Sequence, residues 1–91
     1  MLIAVQIPTA LRAEIGGTKQ VSVEASTVRD ALEQLELLHP KLYRSVCEET
    51  GAVRRHINLF VNLKLVRRGT GLNTALHPGD TLTIMPAVSG G

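Results

Sequence analysis

Three histidines, one cysteine and a scatter of hydroxyl and acidic residues are the side chains here that could do covalent chemistry, and their spacing argues against it. His39, His56 and His77 lie far apart, and none has a second ligand type at metal-site spacing. His39, beside Pro40, fits a helix end, where a cationic imidazole complements the dipole, and His77 falls in a turn. Cys47 is single, which excludes an internal disulfide and a C-x-x-C motif. Its neighbours Glu48 and Glu49 oppose a thiolate, so packing is its expected role. Any Ser/His/Asp or Cys/His combination lacks a flanking motif. "GTGLNT" begins like a dinucleotide loop, but Thr74 stands where the third glycine belongs, and there is no phosphate-binding GxxxxGK[ST] run. The chain is therefore not expected to be an enzyme, nor to bind a metal or cofactor. One chemical group is left over: "TIMPAVSGG" closes the sequence on Gly90-Gly91, by chance, by a trimmed boundary, or for use.

The elements that would position that end follow from composition and periodicity. Ninety-one residues, 44% hydrophobic and 20% charged, make one globular domain with an aliphatic core, Tyr43 and Phe60 being the Tyr, Phe and Trp side chains present. The N-terminal stretch has no basic leader, and Gln6 and Pro8 break its apolar run, so neither a signal peptide nor a membrane span is expected; the expected location is cytoplasmic. The net charge of +2 is uneven. Residues 1–52 carry five basic groups against seven acidic ones, whereas residues 53–91 carry Arg54, Arg55, Lys64, Arg67 and Arg68 against Asp80 alone. That basic third is either a solvated face or a docking surface. Nucleic-acid binding is not expected, since Phe60 is the one stacking aromatic near it.

Ile3, Val5 and Ile7 alternate along a first strand ended by Pro8, and Gly16-Gly17 turns the chain into a second strand with Val21 and Val23, a hairpin. Thr27 and Asp30 form a capping-box pattern for a helix over 27–39, with Val28, Ala31, Leu32, Leu35 and Leu38 on one face and Pro40 stopping or kinking it. Residues 41–55 are ambiguous between a short helical turn and loop. "HINLFVN" reads as a strand with Ile57, Leu59 and Val61 inward, "KLVRR" as its short partner, and "TLTIMP" as the last strand with Leu82 and Ile84 inward. Between them, a loop with a helical turn at 72–76 ends in the turn Pro78-Gly79-Asp80. One main helix across one face of a mixed sheet of about five strands, the last strand central, is an α+β β-grasp arrangement. The expected organisation is a domain over 1–86 and a flexible diglycine tail over 87–91.

Together, "IPTALR", "FVNLKLV" and "GLNTALHPGDTLTIMPAVSGG" resemble the ThiS/MoaD family of ubiquitin-like sulfur carriers, nearest to the CysO-type branch that serves cysteine biosynthesis. The resemblance covers nearly the whole chain, and the tail is its specific part. Leu63-Lys64-Leu65 departs from the acidic or Gly residues common at that hairpin, and Ser89 from a small apolar residue. The resemblance implies that the Gly91 carboxylate is adenylated and then converted to a thiocarboxylate, with Val88, Ser89 and Gly90 threading into partner active sites. The implied partners are a ubiquitin-activating-type adenylyltransferase/sulfurtransferase, which uses ATP and a sulfur source, and a sulfur-accepting synthase. A pyridoxal-phosphate (PLP)-dependent cysteine synthase with a metalloprotease, or a thiosugar synthase, would fit; thiamin and molybdopterin are other destinations. Glycine at both final positions suits such threading, because it has no Cβ to obstruct a narrow passage.

Docking is expected on the sheet face opposite the helix. Alternation turns Asn58, Phe60 and Met85 that way, with Arg54, Arg55, Arg67 and Arg68 as a charged rim. Phe60 could instead pack on a neighbouring side chain. Two rival functions stand beside the carrier: a protein modifier joined to lysines through Gly91, and an interaction domain whose diglycine is incidental.

Overall fold

The computed structural model describes residues 1–87; positions 88–91, which hold the expected threading residues and Gly91, lie outside the described residues. Five strands form one sheet: β1 (Leu2–Gln6), β2 (Gln20–Glu24), β3 (Ile57–Val61), β4 (Lys64–Leu65) and β5 (Thr81–Pro86), in the order β2-β1-β5-β3-β4. β5 pairs parallel with β1, and the other three pairings are antiparallel. The last strand is therefore central, and the β-grasp expectation holds. β5 ends at Pro86, and of the expected tail, 87–91, Ala87 alone falls among the described residues.

Helix α1 (Val28–Leu38) follows from its apolar stripe: Val28, Ala31, Leu32 and Leu35 are buried. The Asp30 N–H donates to the Thr27 hydroxyl at 3.1 Å, and the reciprocal carboxylate bond reaches the Ser26 N–H at 3.2 Å, one residue earlier than the capping box predicts. Leu38 is a correction, since it is 55% exposed. Pro40 ends α1 and opens a second helix, α2 (Pro40–Val46), whose Leu42 and Val46 enter the core. Proline at a first helical position has no N–H to satisfy, so a helix stop serves equally as a start. Beneath both helices lie Ile3, Val5, Val23, Ile57, Leu59, Leu82 and Ile84, so one aliphatic layer seals one face of the sheet.

Three details differ from the sequence reading. The β1–β2 connection contains a 3₁₀ helix, Thr9–Ile15, ended by Gly16 in a left-handed conformation with φ 69°. It contains no buried residue, so no apolar period announced it. β4 is two residues long, shorter than "KLVRR": the Val66 N–H still reaches the Leu59 carbonyl at 2.8 Å, after which Arg67 and Arg68 lead into a second 3₁₀ helix at Gly69–Asn73. That helix sits earlier than the expected turn at 72–76, yet Leu72 and Leu76 are both buried. Asn62, at φ 55°, makes the two-residue β3–β4 turn with Leu63. Its amide donates to Asp80 at 3.0 Å, while its side-chain oxygen accepts from the Thr81 N–H at 3.1 Å. The hairpin is thus latched to the entrance of β5.

Candidate functional site

β5 ends at Pro86, five positions before Gly91. β3 and β5 pair in register from Val61↔Leu82 to Ile57↔Pro86. One further bond follows, from the Ala87 N–H to the His56 carbonyl at 2.7 Å. The last described residue is therefore held to the sheet by main chain.

The sheet face away from the helices carries the expected docking residues. Asn58 lies directly opposite Met85, and Phe60 lies between Thr83 on β5 and Leu65 on β4. Phe60 and Met85 are thus diagonal neighbours on one face, close enough for long side chains to meet. Phe60 is half-buried, whereas Met85 is 45% and Leu65 56% exposed. Beside Met85 and Pro86, a groove of about 580 Å³ runs past Gln6, Pro8, Thr9 and Arg12. Sequence reasoning missed this groove, because the 3₁₀ segment that forms its wall has no period to read.

The basic rim divides. Arg55, Arg67 and Arg68 are exposed and Arg54 is half-buried, but two of the four are also bonded. Arg54 Nε donates to the Arg44 carbonyl at 2.8 Å, at the C-terminal end of α2. Arg68 donates to the carbonyls of Val53, Arg54, Arg55 and Ile57 at 2.8–3.1 Å. Two of the four arginines are therefore tied to the protein's own backbone. No residue spacing signals this, since the acceptors are main-chain carbonyls that every sequence has.

The remaining chemistry-bearing residues lie elsewhere. Cys47 is buried, and desolvation pushes its thiol up to about 11, against the smaller lowering effects of a Tyr43 hydrogen bond and of Arg29 and Arg54. It is a packing residue, as expected. His39 caps α1 and starts α2, and the His77 N–H donates to the Asp80 carboxylate at 2.9 Å in the turn before β5. That bond and the Asn62 amide hold the Asp80 carboxyl below its usual range. Among the described residues, no group of three or more His, Cys, Asp or Glu could hold a metal ion, and no helix is long and apolar enough to cross a membrane.

The geometry offers an open sheet face and a last strand pinned through Ala87, and known proteins resemble the chain in both sequence and shape. The model of the ThiS family matches residues 5–91. The sulfur carrier protein CysO of Mycobacterium tuberculosis is 38% identical over 93 residues, covering all of both chains. The CysO in the crystal structure of the Amycolatopsis orientalis BexX/CysO complex superposes with a TM-score of 0.84 at 39% identity, over 98% of this chain and 99% of that one. The small archaeal modifier protein SAMP1 of Haloferax volcanii superposes with a TM-score of 0.80 at 32% identity over all of both chains. The fold is ubiquitin-like, and the chain belongs to the ThiS family.

Proposed function

We propose that this chain is a sulfur carrier whose Gly91 carboxylate leaves one enzyme as a thiocarboxylate and gives up its sulfur in another. The observation that carries the reading is the full-length match to a protein named as a sulfur carrier, together with a family match that runs through Gly91. Carriers of this type are protein substrates acted on by partner enzymes, not catalysts, which accords with the failure of every catalytic pattern in the sequence.

The chemistry needs activation first. A terminal carboxylate, with a pKa of about 3.3–3.7, is ionised at neutral pH and is a poor electrophile. An adenylyltransferase lets a carboxylate oxygen attack the α-phosphate of ATP, forming an acyl adenylate and releasing pyrophosphate. Sulfide then adds to the acyl carbon, AMP leaves with the bridging oxygen, and the C-terminal thiocarboxylate remains. The resulting acyl–sulfur group is delivered to an acceptor synthase. Cysteine formation, on a PLP-dependent synthase with a metalloprotease to trim the product, is the favoured destination given the likeness to CysO; a thiosugar synthase is the other. A reducing cytoplasm suits a carried sulfur and a free thiol alike.

Docking is assigned to the face of Phe60, Thr83, Met85 and Leu65. Arg55 and Arg67 supply steering charge, and Arg54 and Arg68 add charge from fixed positions. The complex of the Amycolatopsis CysO with BexX supports a carrier that binds its partner stably enough to crystallise.

The test is intact mass spectrometry after incubation with ATP, an activating enzyme and a sulfur source. A gain equal to sulfur replacing oxygen is expected, and it should vanish on deleting Gly91. The likeness to small archaeal modifier protein 1 favours one alternative, conjugation through Gly91. That reading predicts isopeptide-linked species of higher mass in place of the small gain.

A further inference from the structure

We propose that Arg68 is a positioning residue for the C-terminal tail, holding the turn whose His56 carbonyl anchors Ala87 and so setting the direction in which the chain leaves the sheet. The proposal draws its purpose from Gly91 as the working end, although the geometry stands without it.

The guanidinium takes four carbonyls within a run of five residues. Nη1 bonds Val53 at 2.8 Å and Arg54 at 3.1 Å, and Nη2 bonds Arg55 at 2.9 Å and Ile57 at 3.0 Å. The carbonyl it passes over is His56, and that one accepts the Ala87 N–H at 2.7 Å. Clamping the residues on both sides of His56 fixes where its own carbonyl points.

The anchor matters because of its place in the ladder. Pro86 lies opposite Ile57 at a position of the antiparallel ladder that makes no bond to β3, so its missing N–H costs that pairing nothing. Ala87 is the next residue in register to donate across, and its bond to His56 is the last described rung pinning this end of β5 to the 53–57 turn. The turn is braced at its other side, where the Arg54 N–H reaches the Val46 carbonyl at 2.9 Å and Arg54 Nε reaches Arg44. A tail that must enter a narrow active site loses productive encounters if its root swings, so a fixed exit serves every partner. Only a planar, forked cation can serve four carbonyls at once; an ammonium is a point donor and cannot.

The experiment is amide hydrogen exchange by NMR on Arg68→Gln and Arg68→Lys. Relative to Leu82 and Ile84 in the centre of β5, the Ala87 amide is expected to exchange about tenfold faster than in the unsubstituted protein. Exchange at Ala87 that is unchanged, or that rises only in step with Ile84, would overturn the proposal, because Arg68 would then support the fold as a whole. Recovery of Ala87 protection by Arg68→Lys would also overturn it, since charge without the fork would suffice. The lysine variant keeps the question open to measurement should the glutamine variant fail to fold. The exchange ratio involves no sulfur chemistry, so its failure leaves the carrier reading intact, and failure of the carrier reading leaves the ratio unaffected.

Discussion

Alkylation of Cys47 by iodoacetamide should be far slower in the folded protein than in the unfolded chain. Two effects act in the same direction. Burial lifts the thiol from an ordinary 9.0 to about 11. At pH 8 this lowers the thiolate from about one molecule in ten to about one in a thousand, roughly a hundredfold loss of nucleophile. The side chain is also 1% exposed, so the reagent must wait for the α2–β3 region to open. The folded rate at pH 8 should therefore be at least about a hundredfold below the rate in urea, read as mass gain against time. The same shift carries a sign for stability. Below pH 9 both states hold the proton; between about 9 and 11 the unfolded thiol ionises first, so stability falls as pH rises, by at most about 2–3 kcal/mol. Cys47→Ala should lack that extra slope. A folded rate within about threefold of the unfolded one would refute the reasoning. The outcome bears on function, since a reactive thiol on the carrier would be a ready nucleophile for an activated C-terminus.

Two other perturbations follow from the site. Met85→Asp places a charge in the middle of the proposed docking face on a side chain already 45% exposed; it should weaken partner binding at least about tenfold by calorimetry while leaving the thermal midpoint nearly unchanged. Asp80 has a carboxyl held below its usual range by His77 and Asn62, so its contribution is present above about pH 4 and is lost as pH falls through the lowered value. The gap in thermal midpoint between the wild-type chain and Asp80→Ala should accordingly close on acidification, and a gap independent of pH would contradict the latch.

The parts of this molecule visible in the sequence were those where burial imposes a period. Val28, Ala31, Leu32 and Leu35 recur at helical spacing because one side of α1 faces the sheet. Leu82 and Ile84 alternate with Thr83 and Met85 because β5 has one covered face and one open face. The face proposed for docking follows from that alternation, and the proposed working end from a resemblance that reaches Gly91. The 3₁₀ segment Thr9–Ile15 lies on the surface without a buried residue, so nothing in its pattern distinguished helix from loop. Pro40 was ambiguous for a different reason: its ring forbids continuation of α1 and favours initiation of α2 equally. Arg54 and Arg68 read as surface charge because a cluster of arginines looks the same whether it meets solvent, a partner or its own backbone. Their carbonyl partners arise only once the 53–57 turn has folded.

The most direct test asks whether sulfur leaves on Gly91. Labelled sulfur should pass to the acceptor from a chain ending at Gly91, and none should pass from a chain extended by one residue beyond it, with proteases absent. Transfer from the extended, unprocessed chain would contradict the account.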